Sequence, residues 1–345
     1  MAATPPDKIG LRMMWWSRLH PPADPQTSFS GKTILITGAN VGLGFEATLK
    51  FAALGATRLI LGVRSLQRGG KAKAEICRRT GYHPGKIQLY HLDMSNFASV
   101  KTFAETISKE EPRLDVAVLN AGIAAASYTV SPEGYEMSLQ ISVLSTALLA
   151  ILLLPQLRNS ATLSGAPSHL ELVGSAAHQD VKADVFDSAG GERILDQVSK
   201  ESFFEATKQY YVIKLLHMYV MGGLVEATST STSTNHDDPN VIITTVCPGL
   251  CRTNLGRDFS ILARIFVGLY QLILARSAEE GSRTLVSGVT LGKEAHGKFW
   301  SHDVFFRKGE LITNAEGKAL QNKVWDEIME VLRKQVPRID EDLVQ

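Results

Sequence analysis

Apolar residues along this chain fall into short runs without polar alternation, separated by stretches of helical period. The runs predict strands at Thr33–Thr37, Arg58–Val63, Ile87–Leu92, Asp115–Leu119, Leu170–Gly174 and Val241–Val246. Strands that are apolar at successive positions belong to a sheet covered on both faces. Helices are expected at Phe45–Ala52, Asn96–Glu110 with its N-cap at Ser95 or Asn96, Glu133–Leu154 ending before Pro155, and Ser202–Glu226. A last helix, Asn314–Val336, carries Trp325, Ile328, Val331 and Leu332 on one stripe. Regular alternation of strand and helix implies a parallel sheet with right-handed crossovers. The expected fold is α/β, a Rossmann-type doubly wound parallel sheet in a single domain with a C-terminal helical extension. Residues 1–30, rich in proline, read as an extended N-terminal arm. Residues 31–345 read as one domain, with a segment at about 254–300 covering the substrate. The tract Thr228–Thr234 and the polar residues 235–240 read as a solvated loop.

Composition narrows the class. A formal net charge of +1 over 345 residues argues against a dedicated nucleic-acid binder. The three cysteines, Cys77, Cys247 and Cys251, have no metal-ligand spacing and make no disulfide framework, so a reducing compartment, the cytoplasm, is expected. Met13–Trp16 is too short for a signal-peptide core. No uncharged apolar run reaches the roughly eighteen residues of a spanning helix. Phe259–Ala275 comes nearest; it reads as a substrate-covering helix, with contact to a membrane interface as the other reading.

The candidate chemistry begins where the first strand ends. Thr37–Gly44 (TGANVGLG) is a glycine-rich turn between a strand and a helix, and this context lets backbone N–H groups approach a pyrophosphate. Gly38, Asn40, Gly42, Leu43 and Gly44 are its candidate cofactor contacts. Four more segments follow: Leu119–Gly122 (LNAG) after the fourth strand, Val173–Ser175 at the end of the fifth, Tyr210–Lys214 (YYVIK) on a predicted helix, and Pro248–Thr253 after the sixth. Tyr210 and Lys214, four apart, share a helix face. Tyr82 and Lys86 have the same spacing, but His83-Pro84-Gly85 makes that a loop. Ser175 lacks the G-x-S-x-G elbow of a hydrolase, so His178 reads as structural or substrate-lining and His217 as packing. The second strand ends in Arg64, with no carboxylate to hold a ribose 2′-hydroxyl; Arg64, with Ser65 or Arg68, suits a 2′-phosphate and therefore NADP(H).

In this order the five segments resemble the short-chain dehydrogenase/reductase family from about Gly31 to Thr253. The LNAG segment, the Ser-to-Tyr spacing and Ser277–Leu285 are similar to its retinol-dehydrogenase-like branch, most of all to fungal members of secondary metabolism. The resemblance implies Tyr210 as general acid and base, Lys214 beside it and on the nicotinamide ribose, and Ser175 on the substrate carbonyl. It also implies Asp93 near the adenine, Asn120 near the ribose region, and the segment from Pro248 at the nicotinamide with Thr253 on its amide. A free phenol titrates near pH ~10, and Lys214 together with oxidised nicotinamide is expected to lower that value. Tyr211, three residues from Lys214, is the competing phenol. One position departs: Ser142 stands where the family has the Asn that bends its helix. Ser142 can bend a helix through its own backbone. The expected function is ketone or aldehyde reduction, or the reverse, on a hydrophobic small molecule, an expectation that draws on Phe203, Phe204 and Met218. A dinucleotide-binding protein without redox turnover is the alternative that Ser142 raises. By the resemblance, the two long helices at 133–154 and 202–226 are those through which a homodimer would pair.

Overall fold

A computed structural model describes residues 4–6, 10–186, 191–229, 239–252 and 273–344. The N-terminal segment carries helix α1 (Leu11–Leu19). There follow β1 (Thr33–Thr37), α2 (Gly42–Ala53), β2 (Arg58–Val63), α3 (Leu66–Thr80), β3 (Ile87–His91), α4 (Phe97–Glu110) and β4 (Val116–Leu119). Next come α5 (Met137–Leu139), a π-turn at Gln140–Leu144, α6 (Ser145–Ser164), β5 (Ser168–Val173), α7 (Ile194–Val198), α8 (Ala206–Ser229) and β6 (Val241–Val246). The chain closes with α9 (Ala278–Gly288), β7 (Phe299–Ser301), β8 (Val304–Phe305), α10 (Glu310–Thr313), α11 (Ala315–Gln335) and α12 (Ile339–Val344).

The sheet runs β3-β2-β1-β4-β5-β6-β7-β8 and is parallel except for the last pair. Strand order reverses between β1 and β4, so a crevice opens at their C-terminal ends. Successive β1 side chains divide between the two faces. Leu35 joins a core with α4, α6 and α8, while Ile34 and Ile36 join a second core with α2 and α9. That two-sided burial is the physical reason the strands read as unbroken apolar runs.

Four expectations need correction. The N-terminal arm is not extended throughout, because α1 docks on the body with Met13 and Ser17 buried. The buried Arg276 guanidinium holds it, donating to the carbonyls of Ser17 and His20, both at 2.8 Å, and of Pro248 at 3.3 Å. Next, Pro155 does not end its helix; α6 runs through it to Ser164. An interior proline costs ~3 kcal/mol or more. Ile151, Leu153, Leu154 and Leu157 are all buried around it, at ~1.5–3 kcal/mol each, so burial wins. The helical stretch Met137–Ser164 is apolar and long enough to cross a membrane, yet 89% of its apolar window is buried, so it is a core helix. Third, β7 and β8 were not expected, and residues 278–301 build the sheet edge and pack α9 on α2 instead of only covering a substrate. The β7–β8 turn uses His302 and Asp303 at φ 56° and 57°, without the glycine that marks such turns in a sequence. Fourth, Phe203 and Met218, read as markers of a hydrophobic substrate, are both buried members of the main core. The tract from Thr230 to Thr234 and most of Phe259–Ala275 lie outside the described residues.

Glu171, fully buried in β5, pairs in register with Thr244 of β6. A Cβ on Gly288 of α9 would lie 2.1 Å from its Oε2. Neither carboxyl oxygen has a partner among the described residues. Burial raises its pKa well above the ordinary carboxylate range. Because the folded value is the higher one, the associated stability is present below the unfolded value, near ~4.3, and is lost as pH rises through the folded value. Glu171→Gln is therefore expected to raise the Tm at pH 8 and leave it nearly unchanged at pH 4. Thermal scans at the two pH values check this, and an equal change at both would remove the explanation.

Candidate active site

The turn after β1 depends on glycine at three positions. Gly38 and Gly42 have φ of 67° and 61°, where a side chain is strained. A Cβ on Gly44 would lie 2.5 Å from Asn120 Nδ2 and 2.7 Å from the Gly38 carbonyl oxygen. Asn120 ties β4 to this turn, donating from Nδ2 to the Thr37 carbonyl at 2.9 Å, and the Ala121 N–H donates to Thr37 Oγ1 at 2.9 Å. Helix α2 starts here with Val41 at its N-cap, no capping side chain and no acidic residue in its first turn. Its first N–H groups are left for an anion, so the cradle fits a dinucleotide pyrophosphate. Leu43 packs toward α9: a Cβ on Gly281 would meet its Cδ2 at 2.8 Å.

The remaining cofactor-side expectations fall along the same sheet edge. Arg64 follows β2 and is exposed. Ser65 caps α3 by accepting from the Arg68 N–H at 3.3 Å, so its hydroxyl has a local task. Asp93 Oδ1 accepts from the Ser95 N–H at 3.0 Å and the Ser95 hydroxyl at 2.7 Å, which shapes the loop after β3. Pro248 follows β6, and its carbonyl receives Arg276. Thr253 lies outside the described residues.

Ser175, Tyr210 and Lys214 come together from β5 and α8. The Ser175 side chain lies close enough to the Tyr210 phenol to oppose the upward shift of its pKa. Lys214 Nζ lies 5.8 Å from the centre of the Tyr210 ring and donates to the Val173 carbonyl at 3.3 Å. Burial pushes Tyr210 up to about 12, the Ser175 contact pulling the other way. Burial lowers Lys214 to about 8. In the chain alone desolvation dominates and holds the phenol protonated at neutral pH; the lowering expected from Lys214 together with oxidised nicotinamide belongs to the cofactor-bound site. Tyr211 packs edge-on against Tyr210 at 6.2 Å. Ile213 is buried, as a packing residue should be.

Ser142 sits at the middle of the π-turn, where the Ser145 N–H bonds to the Gln140 carbonyl five residues back. The bend associated with Asn in the family is therefore present with Ser. Ser142 Oγ is buried and has no partner among the described residues, and the Ser142 carbonyl accepts from His217 Nδ1 at 2.8 Å. His217 is thus more than packing. Its partner is distant in sequence, and only its place three residues after Lys214 pointed to it. His178 has its Nδ1 2.7 Å from the Ser175 carbonyl and its Nε2 accepting from the Gly309 N–H at 3.1 Å, so both ring nitrogens have structural partners. Cys251 is pushed up to about 12 by burial and is inert as a nucleophile. No metal-ligand cluster exists among the described residues.

A Rossmann-type sheet with a glycine cradle at its switch point, together with Ser175 after β5 and Tyr210 and Lys214 on α8, is the framework of a dinucleotide-dependent oxidoreductase. The short chain dehydrogenase family matches residues 32–165. A short-chain dehydrogenase/reductase of Aspergillus flavipes is 50% identical over 335 residues, covering 97% of this chain and 96% of that protein. Another, from Phaeosphaeria nodorum, is 47% identical over 332 residues, covering 96% and 95%. This chain belongs to the short-chain dehydrogenase/reductase family. Among solved structures, an RhlG/NADP active-site complex of Pseudomonas aeruginosa shares the fold, with a TM-score of 0.58, 20% identity, and coverage of 81% of this chain and 97% of that one.

Proposed function

We propose that this protein is an NADP(H)-dependent oxidoreductase that interconverts a ketone or aldehyde and an alcohol on a hydrophobic small molecule of fungal secondary metabolism. The observation that carries the reading is that Lys214 lies beside the Tyr210 ring and reaches the end of β5, where Ser175 follows, in the same sheet whose β1 ends in the glycine cradle. The dinucleotide, when bound, supplies or accepts the hydride at the substrate carbon. Ser175 donates a hydrogen bond to the carbonyl oxygen and orients it. Tyr210 gives its proton to that oxygen in reduction and takes it back in oxidation. The phenol's retained proton at neutral pH is the form that reduction uses. Lys214 places positive charge beside the phenolate that remains.

The choice of NADP(H) rests on Arg64 and on the absence of an acidic residue at the end of β2. Relatives such as the Aspergillus flavipes protein support the fungal setting, and the Pseudomonas aeruginosa complex shows an enzyme of this fold taking NADP. Arg64→Glu is expected to weaken NADPH binding ~10- to 100-fold, as for loss of ~1.5–3 kcal/mol in a charge-assisted contact. NADH affinity is expected to stay unchanged. Fluorescence titration of both cofactors checks this, and parallel losses would refute the assignment. A purified protein that oxidises neither NADPH nor NADH with a broad panel of ketones, aldehydes and quinones would defeat the redox reading itself.

A further inference from the structure

His217 is buried on α8, one turn beyond Lys214. Its Nδ1 faces the Ser142 carbonyl at 2.8 Å. A carbonyl only accepts, so Nδ1 carries the hydrogen and Nε2 carries a lone pair. Nε2 is buried and has no partner among the described residues. The same side of the ring lies against β5: a Cβ on Gly174 would be 3.8 Å from His217 Cδ2. The residue before it, Val173, supplies the carbonyl that receives Lys214 Nζ at 3.3 Å. The lone pair and the ammonium thus meet the same stretch of strand.

We propose that His217 is a positioning residue of the Tyr210–Lys214 pair, its Nδ1–H fixing the π-turn at Ser142 and its Nε2 accepting from the Lys214 ammonium through one water. This rests on the redox reading above. Such a water has a donor in the ammonium and an acceptor in Nε2, which makes no direct hydrogen bond among the described residues. The arrangement couples the bend of the α5–α6 helix to the direction of the Lys214 side chain. His217 stays neutral throughout the working range, since burial holds it down at about 3 and the charges facing it, Lys214 from its own helix and His178 from the turn after β5, do not favour a second proton.

The test uses the full-length protein with ¹⁵N-labelled histidine and lysine. The His217 resonance, assigned by its loss in the variants, is expected to show the neutral Nδ1–H tautomer; the Nε2–H tautomer would overturn the proposal. His217→Asn keeps a donor for the Ser142 carbonyl and removes Nε2. It is expected to retain the wild-type Tm and NADPH affinity, to lose ~10-fold or more in kcat with KM unchanged, as for a lost hydrogen bond to a charged group, and to move the Lys214 Nζ titration. His217→Phe removes both contacts and is expected to lose stability as well. A His217→Asn protein with wild-type kcat and an unmoved Lys214 titration would show that the histidine only braces the turn. The tautomer and Lys214 readouts need no turnover. If wild type proved inactive while they held, the redox reading would fall and the His217–Lys214 coupling would stand.

Discussion

Tyr210→Phe is expected to lower kcat by ~10²–10⁴-fold, the usual share of a positioned acid or base, with NADPH affinity within about twofold of wild type. The substitution removes only the hydroxyl, while the ring keeps its packing against Tyr211. Ser175 and Lys214 remain but do not replace the lost proton: an aliphatic hydroxyl is too weak an acid to give its proton up, and the Lys214 ammonium is held at the Val173 carbonyl at 3.3 Å. Tyr211→Phe is the matched control and is expected to stay near wild type. Steady-state NADPH oxidation together with cofactor titration decides the matter. A Tyr210→Phe protein keeping a tenth of its activity would mean that water or another group supplies the proton.

Gly44→Ala should act on the other half of the site. The new methyl would meet Asn120 Nδ2 at 2.5 Å and the Gly38 carbonyl oxygen at 2.7 Å. Neither can yield easily, because Asn120 is tied to Thr37 and Gly38 is backbone at positive φ. Overpacking of this kind costs ~1–3 kcal/mol in stability, and it shifts the N–H groups that face the pyrophosphate. NADPH affinity is expected to fall ~100-fold or more, beyond what the stability loss explains, because an anion site tolerates little displacement of its donors. Gly70→Ala in α3, where nothing lies within 4 Å of the new methyl, serves as control. It is expected to gain up to ~1 kcal/mol in stability through helix propensity and to bind NADPH normally. Equal cofactor affinity in the two variants would contradict the role given to the turn.

The first six strands were legible because most are local apolar runs closed by a turn residue, and four of the site's segments were legible because glycine and proline mark strand ends. What could not be read depends on contacts between distant residues. Arg276 gives no sign that it holds α1, some 256 to 259 residues away. Pro155 looks like a stop until the leucines around it are known to face the core. β7 and β8, three and two residues long, are shorter than any periodicity. His217 is one turn past the lysine, yet only the folded chain brings it to Ser142. The burial that raises the Tyr210 value in the chain alone is likewise invisible in a sequence, which shows charge but not desolvation.

The C-terminal helices have one more implication. Trp325 and Gln321 of α11 crowd Gly222 and Gly223 of α8, leaving no room for a methyl, and Arg158 of α6 donates to the carbonyls of Asp342 and Leu343 in α12. The C-terminal helices thus lock α6 and α8 from outside, so the molecule's last two helices act as a clasp on the two helices that carry Ser142 and the Tyr210–Lys214 pair to the site.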